Sequence, residues 1–486
     1  MFIRFDDLDS HDAVDVAIGG AGPAGISLAL DLARRGVASL LIEGGGFTYD
    51  AKAAMDAYQG ETVPKPYPLA GSRLRYFGGT SGHWGGWCRP LDEVDFKALP
   101  GVPYSGWPIT RDEAYRFLPQ AHEVLEIPSA DYDSRTVMAA AQQQALALGK
   151  DSGFDAATYR FSPPTRFGTR YRADIESSKL IHCVLDTSLV RVVRGDGGQT
   201  ALLVRSVGGK ETIIQARYKV LAMGGIENAR SLLWSNFNVS QPLGGSGDWI
   251  GRCFVDHFGF STAKVLTRAG LNYGKRNTSQ GDLMARIVPQ STRIAAGETS
   301  NHMISLEASK DESLIRGEYG MNKSIFGDDA SNLQSYSVLA VSGQRPNRDS
   351  RVTLGTTRDS NGVPTTVLDW RIADQDFDAV LASVERFANE VSIEGAGRLR
   401  KTDFRRRRLD EGLSSGMHHL GTTRMATTAA DGVVDKDCKV FDTDDLYVAG
   451  SSVFTTSGYV NPTLTIVALT LRLADHLATR SKVGAP

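Results

Sequence analysis

A glycine-rich segment near the start of the chain has the residue spacing that binds phosphate. Residues 20–25 read G-A-G-P-A-G and match the pattern G-x-G-x-x-G. In that pattern the first glycine permits a tight turn, the second lets a pyrophosphate approach the backbone, and the third allows close helix–strand packing. The predicted binding residues are Gly20, Gly22, Pro23, Ala24 and Gly25.

An acidic residue strengthens the prediction of a dinucleotide site. Glu43 ends the next predicted strand, about 20 residues after the motif, where a carboxylate can accept hydrogen bonds from ribose hydroxyls. The alternative is a glycine-rich turn that binds nothing. No second motif of this kind follows a strand, since residues 245–250 lack the third glycine. The sequence therefore predicts one dinucleotide and argues against a reductase with two.

These residues need a βαβ unit to position them. Residues 14–18 and 38–42 have the apolar pattern of buried strands, and residues 26–33 between them have helical periodicity. Similar signals return much later in the chain, so the domain is predicted to be assembled from discontinuous pieces. The later signals are strands at 189–193, 201–204, 218–222 and 446–449 and a helix at 462–476.

A second domain is predicted between these pieces. Residues 377–391 carry apolar side chains at helical spacing, and Gly395 and Gly397 follow as stop signals. From about residue 50 to 175 the pattern is irregular, apart from a helical stretch at 111–125. Such a stretch suits a lobe that covers a cofactor.

Composition limits the class of protein. The chain has 486 residues, a net charge of −2, and 41% hydrophobic and 23% charged residues, which excludes a disordered chain and gives no general attraction to nucleic acid. No segment approaches the roughly 18 apolar residues that cross a bilayer. The four cysteines form no C-x-x-C pair, so no metal site is predicted. They are Cys88, Cys183, Cys253 and Cys438.

Several segments carry a family resemblance. The C-terminal ones read M-H-H-L-G-T-T-R-M (417–425), G-V-V-D (432–435), L-Y-V-A-G-S-S-V-F (446–454) and N-P-T-L-T (461–465). Earlier ones read G-G-T-S-G-H-W (78–84), A-M-G-G-I-E-N (222–228) and D-H (256–257). Together with the phosphate loop, these segments closely resemble the glucose–methanol–choline (GMC) oxidoreductase family over roughly half of the chain.

The resemblance implies FAD as the cofactor and sets the expected fold. We predict an α/β fold, α+β overall, with a Rossmann-like FAD-binding domain from residues 1–90, 165–262 and 412–486. A substrate-binding domain, built on a β-sheet with helices, and lid segments would take residues 91–164 and 263–411. The further residues expected at the cofactor are Gly79, Thr80, His83, Trp84, Val190, Gly224, Gly450, Ser451, Asn461, Pro462 and Thr463.

Two residues are predicted to be catalytic by this resemblance. The family pattern H-x-x-G-[TS] is satisfied by His418 and not by His419. A neutral imidazole can take the hydroxyl proton as hydride leaves the carbon for flavin N5, so His418 is the expected general base. Asn461 holds the second catalytic position, where its amide would donate to the substrate oxygen. Outside the motif, a His-His pair or an Asn-Pro helix start would be structural.

His83 has two interpretations. Its segment resembles that of pyranose 2-oxidases, in which a histidine is bonded covalently to the flavin methyl carbon. Related dehydrogenases carry His-Trp here without such a bond, and Thr80 and Gly82 depart from the oxidase pattern. The alternative is a histidine packed beside the dimethylbenzene edge of the flavin.

Within the family, the chain resembles the pyranose oxidase, fructose dehydrogenase and glycoside 3-dehydrogenase branch. That branch implies oxidation of a secondary hydroxyl of a sugar, glycoside or cyclitol to a ketone. A flavin monooxygenase or amine oxidase remains an alternative, weakened because Gly450-Ser451 replaces a Gly-Asp ending. A non-catalytic flavin-binding subunit is the third interpretation of the sequence. Five aromatic residues would either stack on a sugar or simply pack within the protein, namely Trp84, Trp87, Tyr104, Trp107 and Tyr459.

The partners follow from the same resemblance. Oxygen, a quinone or a soluble carrier would accept the electrons. Two kinds of assembly remain alternatives, namely binding to a small or electron-transfer subunit and formation of a homo-oligomer. The basic cluster over 398–408 would dock an acidic partner or form a solvated surface. The first residues, M-F-I-R-F-D-D, lack an export signal, so we expect a cytoplasmic location, or a periplasmic one if a signal-bearing partner is co-exported.

Overall fold

The computed structural model describes most of the chain. The described residues are 1–10, 14–128, 131–134, 138, 146, 148–149, 151–195, 198–245, 247–268, 270–271, 273–309, 333–401 and 413–483. The strands are β1 (Phe2–Ile3), β2 (Val16–Gly19), β3 (Ser39–Ile42), β4 (Gly60–Val63), β5 (Trp87–Cys88), β6 (Phe154–Phe161), β7 (Ile181–Val184), β8 (Thr187–Arg194), β9 (Thr200–Ser206), β10 (Glu211–Ile214), β11 (Tyr218–Leu221), β12 (Phe258–Thr267), β13 (Arg276–Thr278), β14 (Gly281–Pro289), β15 (His302–Ala308), β16 (Gln334–Ser342), β17 (Arg351–Arg358), β18 (Pro364–Asp369), β19 (Gly397–Lys401), β20 (Ser414–Ser415) and β21 (Leu446–Val448). The α-helices are α1 (Pro23–Arg34), α2 (Ala51–Tyr58), α3 (Arg111–Ala114), α4 (Leu118–Val124), α5 (Phe167–Arg170), α6 (Arg172–Ser177), α7 (Gly224–Ser235), α8 (Ser291–Ala295), α9 (Asp374–Ile393) and α10 (Thr463–Val483).

A parallel sheet forms the first layer and fixes the edge at which the predicted cofactor residues meet. Its six strands lie in the order β1-β7-β3-β2-β11-β21, and every neighbouring pair is parallel. Gly20, Glu43, Gly224 and Gly450 follow the carboxyl ends of β2, β3, β11 and β21. Because the strands are parallel, these ends share one edge, where ligands bind in open α/β sheets.

A nine-stranded sheet forms the second layer. Its main path is β19-β12-β16-β15-β14-β6-β5, with β13 and β20 paired at its sides. Helix α9 packs Phe377, Val380, Val384 and Phe387 into the hydrophobic core on one face of this sheet. Met303 on β15 lies opposite Val341 on β16, and these two residues point to the other face, toward the parallel sheet.

Two small sheets complete the described fold. Strands β8, β9 and β10 form an antiparallel meander, as the apolar runs at 189–193 and 201–204 predict. Strands β17 and β18 form a hairpin, and β18, the central strand of this sheet, pairs in parallel with β4. This hairpin brings residues 359–363 near α2.

The α/β fold with a Rossmann-like sheet and a second sheet-based layer is confirmed. The predicted helix at 111–125 is divided into α3 and α4, because Pro119 has no N–H to donate to the carbonyl of Tyr115. Strand β1 was not predicted. Residues 1–90 were assigned to the predicted FAD-binding domain, but β4 and β5 within them pair with β18 and β6, outside the parallel sheet. The division into domains stays a proposal.

Two further expectations concern the surface. None of the described helices has both the length and the apolar composition needed to cross a membrane. In the basic cluster, Arg398, Arg400 and Lys401 lie on β19, whereas residues 405–408 lie outside the described residues.

Candidate active site

A single cavity of about 830 Å³ collects the predicted site residues. It lies between the carboxyl edge of the parallel sheet and the face of the nine-stranded sheet that carries Met303 and Val341. Every predicted cofactor or catalytic residue lines it except Gly25. The cavity therefore joins segments that lie more than 400 residues apart in the chain, as Gly22 and Asn461 do.

Gly22 and Gly25 have different roles in the phosphate loop. A Cβ atom on Gly25 would lie 1.9 Å from the carbonyl oxygen of Gly20, so this position holds α1 close to β2. A Cβ on Gly22 would meet no protein atom within 4 Å, and Gly22 lines the cavity. The fold thus requires Gly25, while the space in front of Gly22 is open to a ligand.

Glu43 ties two cavity loops together. Its carboxylate accepts hydrogen bonds from the N–H groups of Ala21 and Gly45, both at 2.9 Å. Burial raises the pKa of Glu43, and these N–H groups with the nearby Arg75 guanidinium oppose that rise. A carboxylate has about four acceptor sites, so two donors leave capacity for ribose hydroxyls.

Three helix N-termini face the cavity. Residues at the starts of α1, α7 and α10 line it, namely Pro23, Gly224 and Thr463. Each terminus presents unpaired N–H groups and a partial positive charge. Such an arrangement is suited to a ligand with several anionic groups.

The segment around His83 is a short 3₁₀ turn over Gly79–Gly82 that lines the cavity with Thr80 and His83. Arg166 donates from one nitrogen to the carbonyls of Ser81, at 2.6 Å, and Trp84, at 3.0 Å. Burial and the Arg166 charge lower the pKa of His83. Its imidazole is exposed toward the cavity.

Val190 lies at a bulge. The pairing of β8 with β9 shifts register between Leu189 and Arg191, so Val190 has no partner residue and its backbone is turned out of the ladder. Val190 also lines the cavity. Gly450 has φ of 109°, with open space where a Cβ would lie, and Ser451 donates its hydroxyl to the carbonyl of His419 at 2.6 Å.

His418 and Asn461 meet at the cavity wall. The Asn461 Nδ2 atom lies 3.2 Å from His418 Nε2. Burial, then the neighbouring His257 and His419, lower the pKa of His418 well below its usual value. The imidazole of His418 is therefore neutral at neutral pH and its Nε2 atom is presented to the amide and to the cavity.

His257 contacts His418 directly. Their Nδ1 atoms lie 2.6 Å apart, and His257 is 1% exposed. The neighbouring Asp256 accepts through one carboxylate oxygen from the backbone N–H groups of His257 and His418, at 2.7 and 2.8 Å. The D-H segment was part of the family resemblance, but the sequence alone gave no reason to place it against His418.

Sequence reasoning missed several lining residues at the end of the cavity near α2. Ser231 on α7 is 6% exposed, and its buried hydroxyl has no hydrogen-bond partner within the protein. Arg73 and Arg230 both pair with Glu227, at 2.6 and 3.0 Å. Glu227 lies in the A-M-G-G-I-E-N segment, but no local pattern marks Ser231, Arg73 or Arg230, because the cavity is formed by distant segments.

The predicted aromatic residues divide into two groups. Trp84, Trp87 and Tyr459 line the cavity. Trp107 is 8% exposed and donates its indole N–H to Thr456, and Tyr104 packs against Trp249. Neither Tyr104 nor Trp107 lines this cavity, and both pack against other residues of the protein.

Asp256, His257 and His418 are close enough for their ligand atoms to surround a metal ion. Those atoms are engaged in other contacts. Asp256 accepts from Tyr67, Met417, His257 and His418, and the histidine Nδ1 atoms face each other. The donor set is therefore organised as a hydrogen-bond network.

The comparison with known families gives a match in the C-terminal part of the chain. Residues 346–470 match the family model described as GMC oxidoreductase. This range contains both His418 and Asn461. The C-terminal region of the chain is therefore similar to the GMC oxidoreductase family. This match confirms the resemblance to the GMC oxidoreductase family. The expected fold and the expected cofactor both followed from that resemblance.

Individual GMC-like proteins agree with this assignment. The 6'''-hydroxyparomomycin C oxidase of Streptomyces lividus is 34% identical over 155 residues, which cover 31% of this chain and 27% of that protein. The fructose dehydrogenase large subunit of Gluconobacter japonicus is 24% identical over 326 residues, covering 64% of this chain and 57% of that subunit. The match thus spans about a quarter of the length of the oxidase and somewhat over half of the length of the fructose dehydrogenase subunit.

The solved structures extend the fold match to nearly the whole chain. The crystal structure of pyridoxine 4-oxidase from Mesorbium loti superposes with a TM-score of 0.60 at 18% identity and covers 95% of this chain and 99% of that one. At this identity the match shows the GMC fold alone.

Proposed function

We propose that the protein is an FAD-dependent oxidoreductase that oxidises a secondary hydroxyl of a sugar, glycoside or cyclitol to a ketone. One observation carries the proposal. His418 Nε2 and Asn461 Nδ2, 3.2 Å apart, line the same cavity as the G-x-G-x-x-G loop. A proton acceptor, an amide donor and a dinucleotide site in one enclosure form the constellation that alcohol oxidation needs.

The residues present fit FAD. The open space before Gly22 and the three helix N-termini would receive the pyrophosphate, and Glu43 the ribose. The unpartnered hydroxyl of Ser231, which lines the same cavity as Val190, offers a further hydrogen bond to the cofactor. FAD, when bound, supplies the acceptor for a hydride. His83 is retained as a candidate for covalent attachment because it lines the cavity with Thr80 and Trp84.

His418 and Asn461 would act together on the reacting hydroxyl. The amide N–H of Asn461 points to Nε2, so this nitrogen is the unprotonated one and accepts the hydroxyl proton. As the O–H bond breaks, the C–H bond releases its hydrogen with both electrons, and the carbon becomes a carbonyl. Asn461 has a second amide hydrogen with which it can hold the substrate oxygen.

The substrate class rests on aromatic residues that line the cavity and on one relative. Trp84, Trp87 and Tyr459 offer aromatic surfaces to a ring. The relative named fructose dehydrogenase large subunit acts, by its name, on a sugar.

Anaerobic bleaching of the flavin tests the proposal. The FAD-loaded protein should lose its yellow colour when mixed with one or more members of a panel of sugars, glycosides and cyclitols. His418→Gln should bind FAD as the parent does and bleach on the order of 100-fold more slowly. Retention of colour with every alcohol, or equal rates for the parent and this variant, would rule the proposal out.

A further inference from the structure

We propose that His257 is a positioning residue that fixes the tautomer of His418. The inference rests on the proposed function, because His418 is the base whose free nitrogen matters. His257 is buried next to that base and has no direct place in the proton transfer itself. Its contacts nevertheless determine which nitrogen of His418 carries hydrogen.

The far side of His257 assigns its own tautomer. Its Nε2 atom lies 3.2 Å from the carbonyl oxygen of Ser457 and 3.0 Å from that of Gly458. Carbonyl oxygens only accept, so Nε2 must carry the hydrogen. Burial lowers the pKa of His257 to about 4, so the ring is neutral at neutral pH and has one hydrogen. Its Nδ1 atom is therefore an acceptor.

The assignment then passes to His418. The two Nδ1 atoms lie 2.6 Å apart, a separation that requires one hydrogen between them. Since His257 Nδ1 accepts, His418 Nδ1 must donate. A neutral His418 that carries its hydrogen on Nδ1 has a free lone pair on Nε2, and this is the atom that faces the amide of Asn461.

The same contact stabilises the ring after it has taken a proton. The His418 cation would keep its Nδ1–H donated to a neutral acceptor inside the protein, and hydrogen bonds from charged donors are the stronger ones. Removal of the His257 acceptor should therefore release the tautomer of His418 and leave its cation without this hydrogen bond. A residue that only filled space would affect neither property.

Other titratable groups face this pair. Asp256 accepts from both histidine backbones, and burial raises its pKa to about 7. Tyr67 donates its hydroxyl to Asp256. His419 lies next to His418, and burial lowers its pKa to about 3. These groups remain the same in the variants described below, so a change in the pH profile reports on His257.

Two substitutions separate positioning from packing. His257→Leu removes the acceptor, whereas His257→Asn places an amide oxygen where Nδ1 lies and keeps it. We expect His257→Leu to slow flavin reduction at pH 7 by about 10-fold or more and to move the midpoint of its pH profile, with KM little changed. His257→Asn should return the rate to within about threefold of the parent.

Nitrogen NMR of protein labelled with ¹⁵N-histidine and loaded with oxidised FAD reads the tautomer without turnover. The signals lost in His418→Gln identify His418, and its Nε2 should resonate as an unprotonated nitrogen. A protonated Nε2 in the parent, or a rate and pH profile in His257→Leu equal to those of the parent, would overturn the inference. If the parent binds FAD and no alcohol bleaches it, the proposed function fails instead, whatever the tautomer. If His257→Leu does not fold, the parent spectrum and His257→Asn decide.

Discussion

His418 owes its basic form to its surroundings. A solvent-exposed histidine would be half protonated near pH 6.5, but burial and two neighbouring imidazoles lower the pKa of His418 well below that value. His257 and His419 are shifted in the same direction, to about 4 and about 3. The wall around His418 therefore consists of neutral rings at neutral pH.

The first prediction is a pH profile. A base whose pKa is lowered stays unprotonated as the pH falls through 6.5, so its activity is kept there and is lost only at lower pH. We expect the rate constant for anaerobic flavin reduction to be constant from pH 8 to pH 6.5 and to fall below that range. Stopped-flow traces at a saturating sugar concentration measure it, and a midpoint at or above pH 6.5 would contradict the burial argument.

The second prediction concerns Ser231. Its hydroxyl lines the cavity, is buried and has no partner within the protein, so a bound cofactor would supply one. Ser231→Ala should weaken FAD binding about fivefold, since a typical hydrogen bond contributes about 1 kcal/mol. Ser27→Ala is the control, because Ser27 on α1 is equally buried and unpartnered but does not line the cavity. Fluorescence titration of apoprotein with FAD should find the control unchanged.

At the scale of elements, local signals were predictable and long-range pairing was not. The βαβ unit of β2, α1 and β3 is specified by apolar runs and glycines that lie close together in the chain. The nine-stranded sheet pairs β6 with β14 and β12 with β19, across more than 100 residues in each case, and no periodicity records such partners. The break between α3 and α4, by contrast, has a local signal in the sequence, which is Pro119.

The candidate site divides in the same way. Gly22, His418 and Asn461 lie in motifs, so pattern and resemblance reach them. His257 and His418 are 161 residues apart in the chain, so only the coordinates reveal their contact. The same holds for the unpartnered hydroxyl of Ser231 at the cavity.

The third prediction separates folding from cofactor binding at the phosphate loop. Gly25→Ala should destabilise the apoprotein, because its Cβ would lie 1.9 Å from Gly20 O and force α1 away from β2. Gly22→Ala meets no protein atom and should leave the apoprotein melting temperature within about 2 °C of the parent. Its methyl group would nevertheless occupy the pyrophosphate approach and weaken FAD binding by about 10-fold or more. Calorimetry and FAD titration of both variants measure this, and unchanged FAD affinity in Gly22→Ala would refute the loop assignment.

At the scale of the whole molecule, the cavity is divided by charge. One end contains paired ions, with Arg230 bonded to Asp359 at 2.7 Å and Arg73 to Glu227. The described residues that line the cavity from the nine-stranded sheet carry no charge, and they are Trp87, Met303 and Val341. Burial of an unpaired charge against such a wall is costly.

The fourth prediction is a preference for uncharged alcohols. Neutral glycosides should have kcat/KM values about 10-fold or more above those of the corresponding aminosugars and sugar acids, because the wall offers no counter-charge. Met303→Glu should raise the relative rate for the aminosugar, while Met303→Gln, of similar size and without charge, should not. Equal kcat/KM for charged and neutral sugars in the parent would show that the wall does not select.

Residues 258–415 leave and rejoin the rest of the chain at one place. Phe258 pairs with Ser415, Gly259 pairs with Ser414, and the N–H of Gly416 donates to the carbonyl of His257 at 2.8 Å. His257 and His418 therefore stand at the two ends of an insertion that brings in Met303 and Val341. Variation within this insertion would alter the Met303 and Val341 part of the cavity wall while the two imidazoles stay in register, as long as the pairing of β14 with β6 and of β18 with β4 is kept.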